Sequence, residues 1–171
     1  MGILLTMPTS SAAIWIAIAS GSTSDAMMLA GGAAVVGCAA QMVGFAVMSF
    51  KENGVGGLIS QGIGTSMLQI PNIMKHPLIF VPPIIASAIV GPIATCVFKL
   101  RCTAGGGGMG TSGLVGVFGA VEASKGVVSD ANIALGIVFL MFVIPAVVSL
   151  LFRILFEKKG WIKGEWMKLD V

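Results

Sequence analysis

Charge is scarce in this sequence. Of 171 residues, 10 are lysine or arginine and 7 are aspartate or glutamate, so 10% of the chain is charged, against about 25% in soluble domains. With 56% hydrophobic residues and a mean hydropathy of +1.00, too few polar groups remain to clothe a water-soluble surface. A soluble fold is excluded on these grounds, and lipid is the solvent this composition fits.

Other absences narrow the function. The single histidine, His76, stands in Lys75-His-Pro77 with no second base or ligand near it in sequence, so no catalytic constellation is read. There is no P-loop, no dinucleotide fingerprint and no metal-ligand cluster. Catalytic residues, metal ligands and cofactors are therefore all expected to be none, and ATP-driven or redox chemistry is not expected within this chain. The three cysteines, Cys38, Cys96 and Cys102, are odd in number and lack a paired spacing, so they read as packing residues. Residues 1–18 have no basic start and no polar release region, so no cleavable signal peptide is expected. The net charge of +3 comes from lysines gathered beside the last apolar run, not spread along a polar face. Membrane topology accounts for that better than nucleic acid, which is not an expected partner.

What the chain has in quantity is glycine, 24 residues, with 7 prolines, most of them inside apolar runs. Transmembrane helices tolerate both, and small residues let such helices approach closely. The fold class expected is all-α, a polytopic transmembrane helix bundle of about six membrane segments. Four stretches, 3–19, 26–50, 78–98 and 131–155, are long enough or nearly so to span about 30 Å of hydrocarbon. Two more, 55–70 and 104–120, are uncharged but rich in Gly, Ser and Thr, and either cross or fold back. Residues 1–155 form the membrane domain, and 156–171 form a basic tail.

Basic residues favour the cytoplasmic side of a membrane. If both weak stretches cross, Lys51, Lys99, Arg101, Arg153, Lys158, Lys159, Lys163 and Lys168 share one side against Lys75 and Lys125. If both fold back, Lys75 changes places with Lys99 and Arg101, and the division is seven against three. The first count favours six crossings with a cytoplasmic tail. Trp161 and Trp166 among the tail lysines suit an interfacial anchor on an anionic leaflet, and docking of a soluble partner is the sharper reading of the same residues.

The most informative feature is a repeat. Gly62-Ile-Gly-Thr-Ser-Met-Leu68 recurs as Gly108-Met-Gly-Thr-Ser-Gly-Leu114, identical at five of seven positions. Phe50-Lys51 and Phe98-Lys99 precede the two copies at similar distances, and Thr6-Met-Pro-Thr-Ser10 is a weaker echo. With six crossings, all three motifs lie on segments running outward from the cytoplasm. Discontinuous helices of this kind place backbone groups and hydroxyls at a substrate near the midplane. Glycine admits close backbone approach, as in Gly105-Gly-Gly-Gly108, while Thr and Ser hydroxyls suit a sugar or polyol. The candidate substrate-binding residues are Thr65, Ser66, Gln69, Asn72, Gly108, Gly110, Thr111 and Ser112. The competing reading makes the same residues packing contacts between helices, with hydroxyls bonded back to backbone. Gln41 and Gln61 are polar within apolar surroundings and fit interhelical hydrogen bonds equally well. Pro71, Pro82, Pro83 and Pro92 are expected to bend or break their segments, while Glu52 and Glu122 fall at membrane boundaries.

Pro8-Thr-Ser-Ser-Ala12, Val36-Gly-Cys-Ala-Ala-Gln-Met-Val-Gly-Phe45, Gly62 to Ile73, Pro82-Pro83, Gly91-Pro92 and Gly108 to Val115 together resemble the enzyme IIC-like family of the bacterial phosphotransferase system. This is the branch that also holds membrane proteins labelled as toxin regulators. The resemblance covers nearly the whole chain and is to the C-terminal half of the family's domain. It implies a sugar permease component of the cytoplasmic membrane, which passes solute to a separate IIB-type phosphocarrier protein, the phosphoryl group coming from phosphoenolpyruvate. Any enzyme label would then belong to the complex. It also implies membrane lipid as surroundings and either a homodimer or pairing with an N-terminal half. The alternative is a membrane-bound sensor without transport activity. The binding glutamate and histidine of well-understood relatives do not align with Glu52, Glu122 or His76, so those roles are not carried over.

Overall fold

Proline, glycine and capping serines decide where the helices of this chain stop. The computed structural model describes residues 1–21 and 24–169; residues 170–171, the last of the tail, lie outside them. Helix α1 (Gly2–Thr6) halts before Pro8, and α2 (Ser11–Ala19) starts where the Ser10 hydroxyl accepts the Ala13 amide at 3.2 Å. The stretch 3–19, expected as one span, is thus two short helices, because Ser10 is a good N-cap two residues after Pro8.

Ser24 caps α3 (Asp25–Met48) through the Met27 amide at 3.3 Å. Next come α4 (Phe50–Ile59), a π turn at Ser60–Gly64, Thr65 in extended backbone, a 3-10 turn at Ser66–Gln69 and α5 (Ile70–Lys75). Pro71, in the first turn of α5, removes no intrahelical hydrogen bond there. A 3-10 turn at Pro77–Phe80 leads into α6 (Val81–Cys96). After a glycine-rich loop and a 3-10 turn at Ser112–Leu114 come α7 (Val115–Ser124) and α8 (Asp130–Gly136). Helix α8 continues through a π turn at Ile137–Val143 into α9 (Ile144–Lys158), and a 3-10 turn at Gly164–Met167 closes the described tail.

Among the described residues, three helical stretches are long and apolar enough to cross a membrane: Asp25–Met48, Pro77–Cys96 and Asp130–Lys158. In the first, 67% of the apolar window is buried, against 33% and 28% in the others. Helix α3 is therefore the central post, while α6 and the α8–α9 rod turn residues such as Ile89, Val147, Leu151 and Ile154 outward, as lipid-facing helices do. Helices α3 and α6 run antiparallel, with Phe45 stacked on Phe80 at 6.0 Å at one end and Arg101 paired with Asp25 at 2.7 Å at the other. The last rod runs parallel to α3, from Gly136 beside Phe98 and Leu100 to Ser149 beside Gly44. Small residues permit the packing: a Cβ on Gly32 would strike the Leu100 carbonyl, the close approach that glycine provides between membrane helices. The main core gathers Val35, Val36, Ala40, Val90, Ala94, Leu140 and Met141. Cys38 and Cys102 are buried, while Cys96 is exposed and all three are free.

The chain segments between these rods do not cross. Residues 49–80 leave α3 beside Phe45 and Met48 and return to Phe80 at the same end. Residues 97–130 leave α6 beside Leu100 and return through Ser124, whose hydroxyl accepts the Arg101 amide at 3.0 Å. Both glycine-rich stretches are re-entrant, so folding back, not crossing, is the arrangement realised. The basic residues divide as seven at the end carrying the tail, the tail face, against Lys99, Arg101 and Lys125 at the opposite face. The repeated motifs accordingly enter from opposite faces and do not run in one common direction.

Candidate functional site: opposed re-entrant breaks

Each copy of the repeat marks a point in its re-entrant segment where helix geometry fails. In the first copy the π turn Ser60–Gly64 ends at extended Thr65, whose hydroxyl accepts the Met67 amide at 3.1 Å. In the second, Gly110 and Gly113 take φ of +58° and +51°, and Leu114 takes +60°. Glycine adopts that region without penalty.

The two breaks meet. The Thr111 hydroxyl donates to the Gly62 carbonyl at 2.5 Å, and Ser112 donates to the Gly64 carbonyl at 3.0 Å. The third motif joins them: Thr6 and Ser66 share a hydrogen bond of 2.8 Å, and Ser11 donates to the Gly108 carbonyl at 2.7 Å. Unwound turns leave carbonyls without helical partners, and such groups are tolerated at membrane depth only when protein or water satisfies them. Here each break satisfies its neighbour. Thr6, Ser66, Thr111, Gly108 and Gly110 are buried at this junction, Thr65 and Ser112 are half-buried, and Gly64 and Gly113 are exposed beside them.

Gln69 and Asn72 sit elsewhere. They belong to an amide ladder leading to the tail face: Gln61 donates to Ser49 Oγ at 2.7 Å, Gln69 to Gln61 Oε1 at 2.9 Å and Asn72 to Gln69 Oε1 at 2.9 Å. Gln69 and Asn72 also donate to the carbonyls of Met167 and Lys168. The eight candidate residues therefore divide into six at the junction and two on the ladder, linked through the adjacent residues Gln61 and Gly62. Sequence reasoning passed over Ser11, whose partner Gly108 is 97 residues away, and Asn53, which holds the tail. The echo at Thr6 was the available signal for the third motif.

Of the other polar groups, Gln41 donates across helices to Ser87 at 3.2 Å, and its Oε1 lacks a protein partner among the described residues. Glu52 pairs with Arg153, His76 stacks on Trp166 at 3.9 Å, and Glu122 is exposed on α7.

The family described as "Phosphotransferase system, EIIC" has a model that matches residues 1–169. The chain belongs to this family. No curated protein and no solved structure matches it. As an EIIC, the chain is the membrane permease component of a phosphotransferase system, embedded in lipid and working with other components of that system.

In this EIIC the Thr111 hydrogen bond is a structural clamp between the two re-entrant segments. Thr111→Val keeps the volume but leaves the buried Gly62 carbonyl without its donor, a loss of about 1–3 kcal/mol. Ser112→Ala, half-buried at the same junction, is expected to cost about 1 kcal/mol or less, because water can replace the lost hydroxyl. Thermal unfolding of the detergent-solubilised protein checks the order, and equal losses would show that the junction is wet throughout.

Proposed function

We propose that this EIIC binds and translocates a sugar or polyol at the junction of its two re-entrant breaks, handing it to a IIB-type phosphocarrier at the tail face. The observation that supports this most is the meeting of two Gly-Thr-Ser breaks from opposite faces through Thr111 and Ser112. Ser66, Thr111, Gly108 and Gly110 hold the breaks together. Thr65 and Ser112, less buried, offer hydroxyls to a solute, as do the exposed backbone groups of Gly64 and Gly113. Gln69 and Asn72 couple the junction to the tail face. A polyol suits such a site because each hydroxyl both donates and accepts, as the site's own groups do. The basic excess at the tail face supports a cytoplasmic position for it, where a phosphocarrier would meet it. A homodimer, or pairing with further chain of the same family, would cover the outward apolar surfaces of α6 and α9.

The test is a panel of hexoses, hexitols and disaccharides offered to the purified protein, read as a shift in unfolding temperature. One solute class is expected to stabilise it, with the shift reduced in Thr65→Ala and Ser112→Ala. No response from any of them would overturn the reading. A membrane-bound sensor without transport is the second reading, and it is favoured by the tail's direct docking onto the first re-entrant segment. It predicts solute binding with no uptake in cells.

A further inference from the structure

Residues 160–169 fold back against the first re-entrant segment. Gly160, at φ +72°, turns the chain back after α9. Gly164 then passes over the Arg153–Glu52 ion pair, so closely that a Cβ there would strike both side chains. Ile162 and Met167 are buried at 1% and 0% exposure in a cluster with Phe45, Met48, Ile73 and Ile79. Trp166 lies flat on His76, with ring planes 6° apart.

The main chain of the tail is held as a bound peptide would be. Asn53 donates to the Met167 carbonyl at 2.8 Å and accepts the Leu169 amide at 2.8 Å. Gln69 donates to the Met167 carbonyl at 3.0 Å, and Asn72 to the Lys168 carbonyl at 2.9 Å. These three amides come from α4, the turn before α5, and α5 itself. Beside them a cavity of about 440 Å³ is lined by Glu52, Asn53, Gly56, Ser60, Lys168 and Leu169, so the tail forms one wall of a space that the re-entrant segment forms on the other side.

We propose that Asn53, Gln69 and Asn72 form a peptide-binding rail whose ligand is the chain's own residues 160–169, a releasable strap that closes the first re-entrant segment at the tail face. The ladder Asn72–Gln69–Gln61 carries the strap's position to Gly62, the residue that accepts Thr111. An engaged strap fixes the junction, and a released one frees the amides and opens the cavity. Only the link to solute passage rests on the permease reading.

The test does not use transport. In a Cys96→Ser background, which removes the exposed native thiol, Ile73→Cys places a thiol beneath Ile162 and Met167. On the detergent-solubilised protein, a hydrophilic maleimide should label it slowly. Asn53→Ala removes two main-chain bonds of the strap, and His76→Ala removes the stack on Trp166 from the half-buried turn before Pro77. Each should raise the labelling rate about tenfold, the effect of about 1.4 kcal/mol on an opening equilibrium. An unchanged rate in both variants, or a parent that labels as fast as native Cys96, would overturn the strap. A silent solute panel would leave this result untouched.

Discussion

Gly110→Ala is expected to prevent stable assembly of the two re-entrant segments. Two costs fall on one atom. The residue sits at φ +58°, a left-handed conformation that costs an L-residue about 1–2 kcal/mol. The added Cβ would also lie 2.7 Å from the Ala39 nitrogen and 2.8 Å from the Cys38 carbonyl carbon. Those are backbone atoms of the central helix, which cannot swing aside as a side chain can, so overpacking adds about 1–3 kcal/mol. The sum, about 2–5 kcal/mol, compares with a total of about 5–15 kcal/mol for a typical fold. The expected result is a lowered unfolding temperature together with loss of monodispersity in detergent. Gly105→Ala is the control, because a Cβ there meets nothing within 4 Å and should leave stability unchanged. Equal stability of the two variants would mean that the Gly110 backbone does not press on α3.

Helices α3, α6 and α9 were legible because uncharged length is a direct physical requirement for crossing hydrocarbon. The repeat was legible as a break for a related reason: glycine beside Thr and Ser both destabilises a helix and supplies the groups that replace its lost hydrogen bonds. The direction of the two segments was not legible. Eight against two and seven against three differ only by the exchange of Lys75 for Lys99 and Arg101, and such a margin cannot outweigh the helix breaks at Ser60–Thr65 and Gly110–Leu114 that turn each segment back. Stretch 3–19 passed the length test, yet Pro8 and the Ser10 cap divide it, a local effect that mean hydropathy does not register. The tail's partners were the least legible part. Trp161 and Trp166 among lysines have the composition of an interfacial anchor, and Trp161 does lie near Lys159 at 4.8 Å. Trp166 instead finds His76, 90 residues away, and no local pattern encodes a partner at that distance. Likewise Gln69 and Asn72 were recognised as polar groups in need of partners, but the partners are carbonyls of the tail.

The second large effect is expected at Arg153. Its side chain is 5% exposed and pairs bidentately with Glu52, itself 14% exposed, through contacts of 2.7 and 3.2 Å, and with Glu157 one turn on at 2.9 Å. This cluster joins α9 to α4 across 101 residues of chain and lies directly beneath Gly164. Removing one member of a buried pair strands the other, which costs about 3–5 kcal/mol, whereas replacing both by apolar groups is often close to neutral. Arg153→Met should therefore be severely destabilising, because Glu52 and Glu157 are left facing each other without a cation. Glu52→Met should be milder, since Glu157 still neutralises the guanidinium. Arg153→Lys should fall between wild type and Arg153→Met, because an ammonium keeps the charge but not the two-pronged geometry. The double variant Glu52→Met, Arg153→Met should be more stable than Arg153→Met alone. A thermal-unfolding cycle over these variants measures the coupling directly. If the double loss equalled the sum of the single losses, the two charges would be solvated independently, and the attachment of α9 to the re-entrant segment would rest on Ile162, Met167 and the amide rail alone.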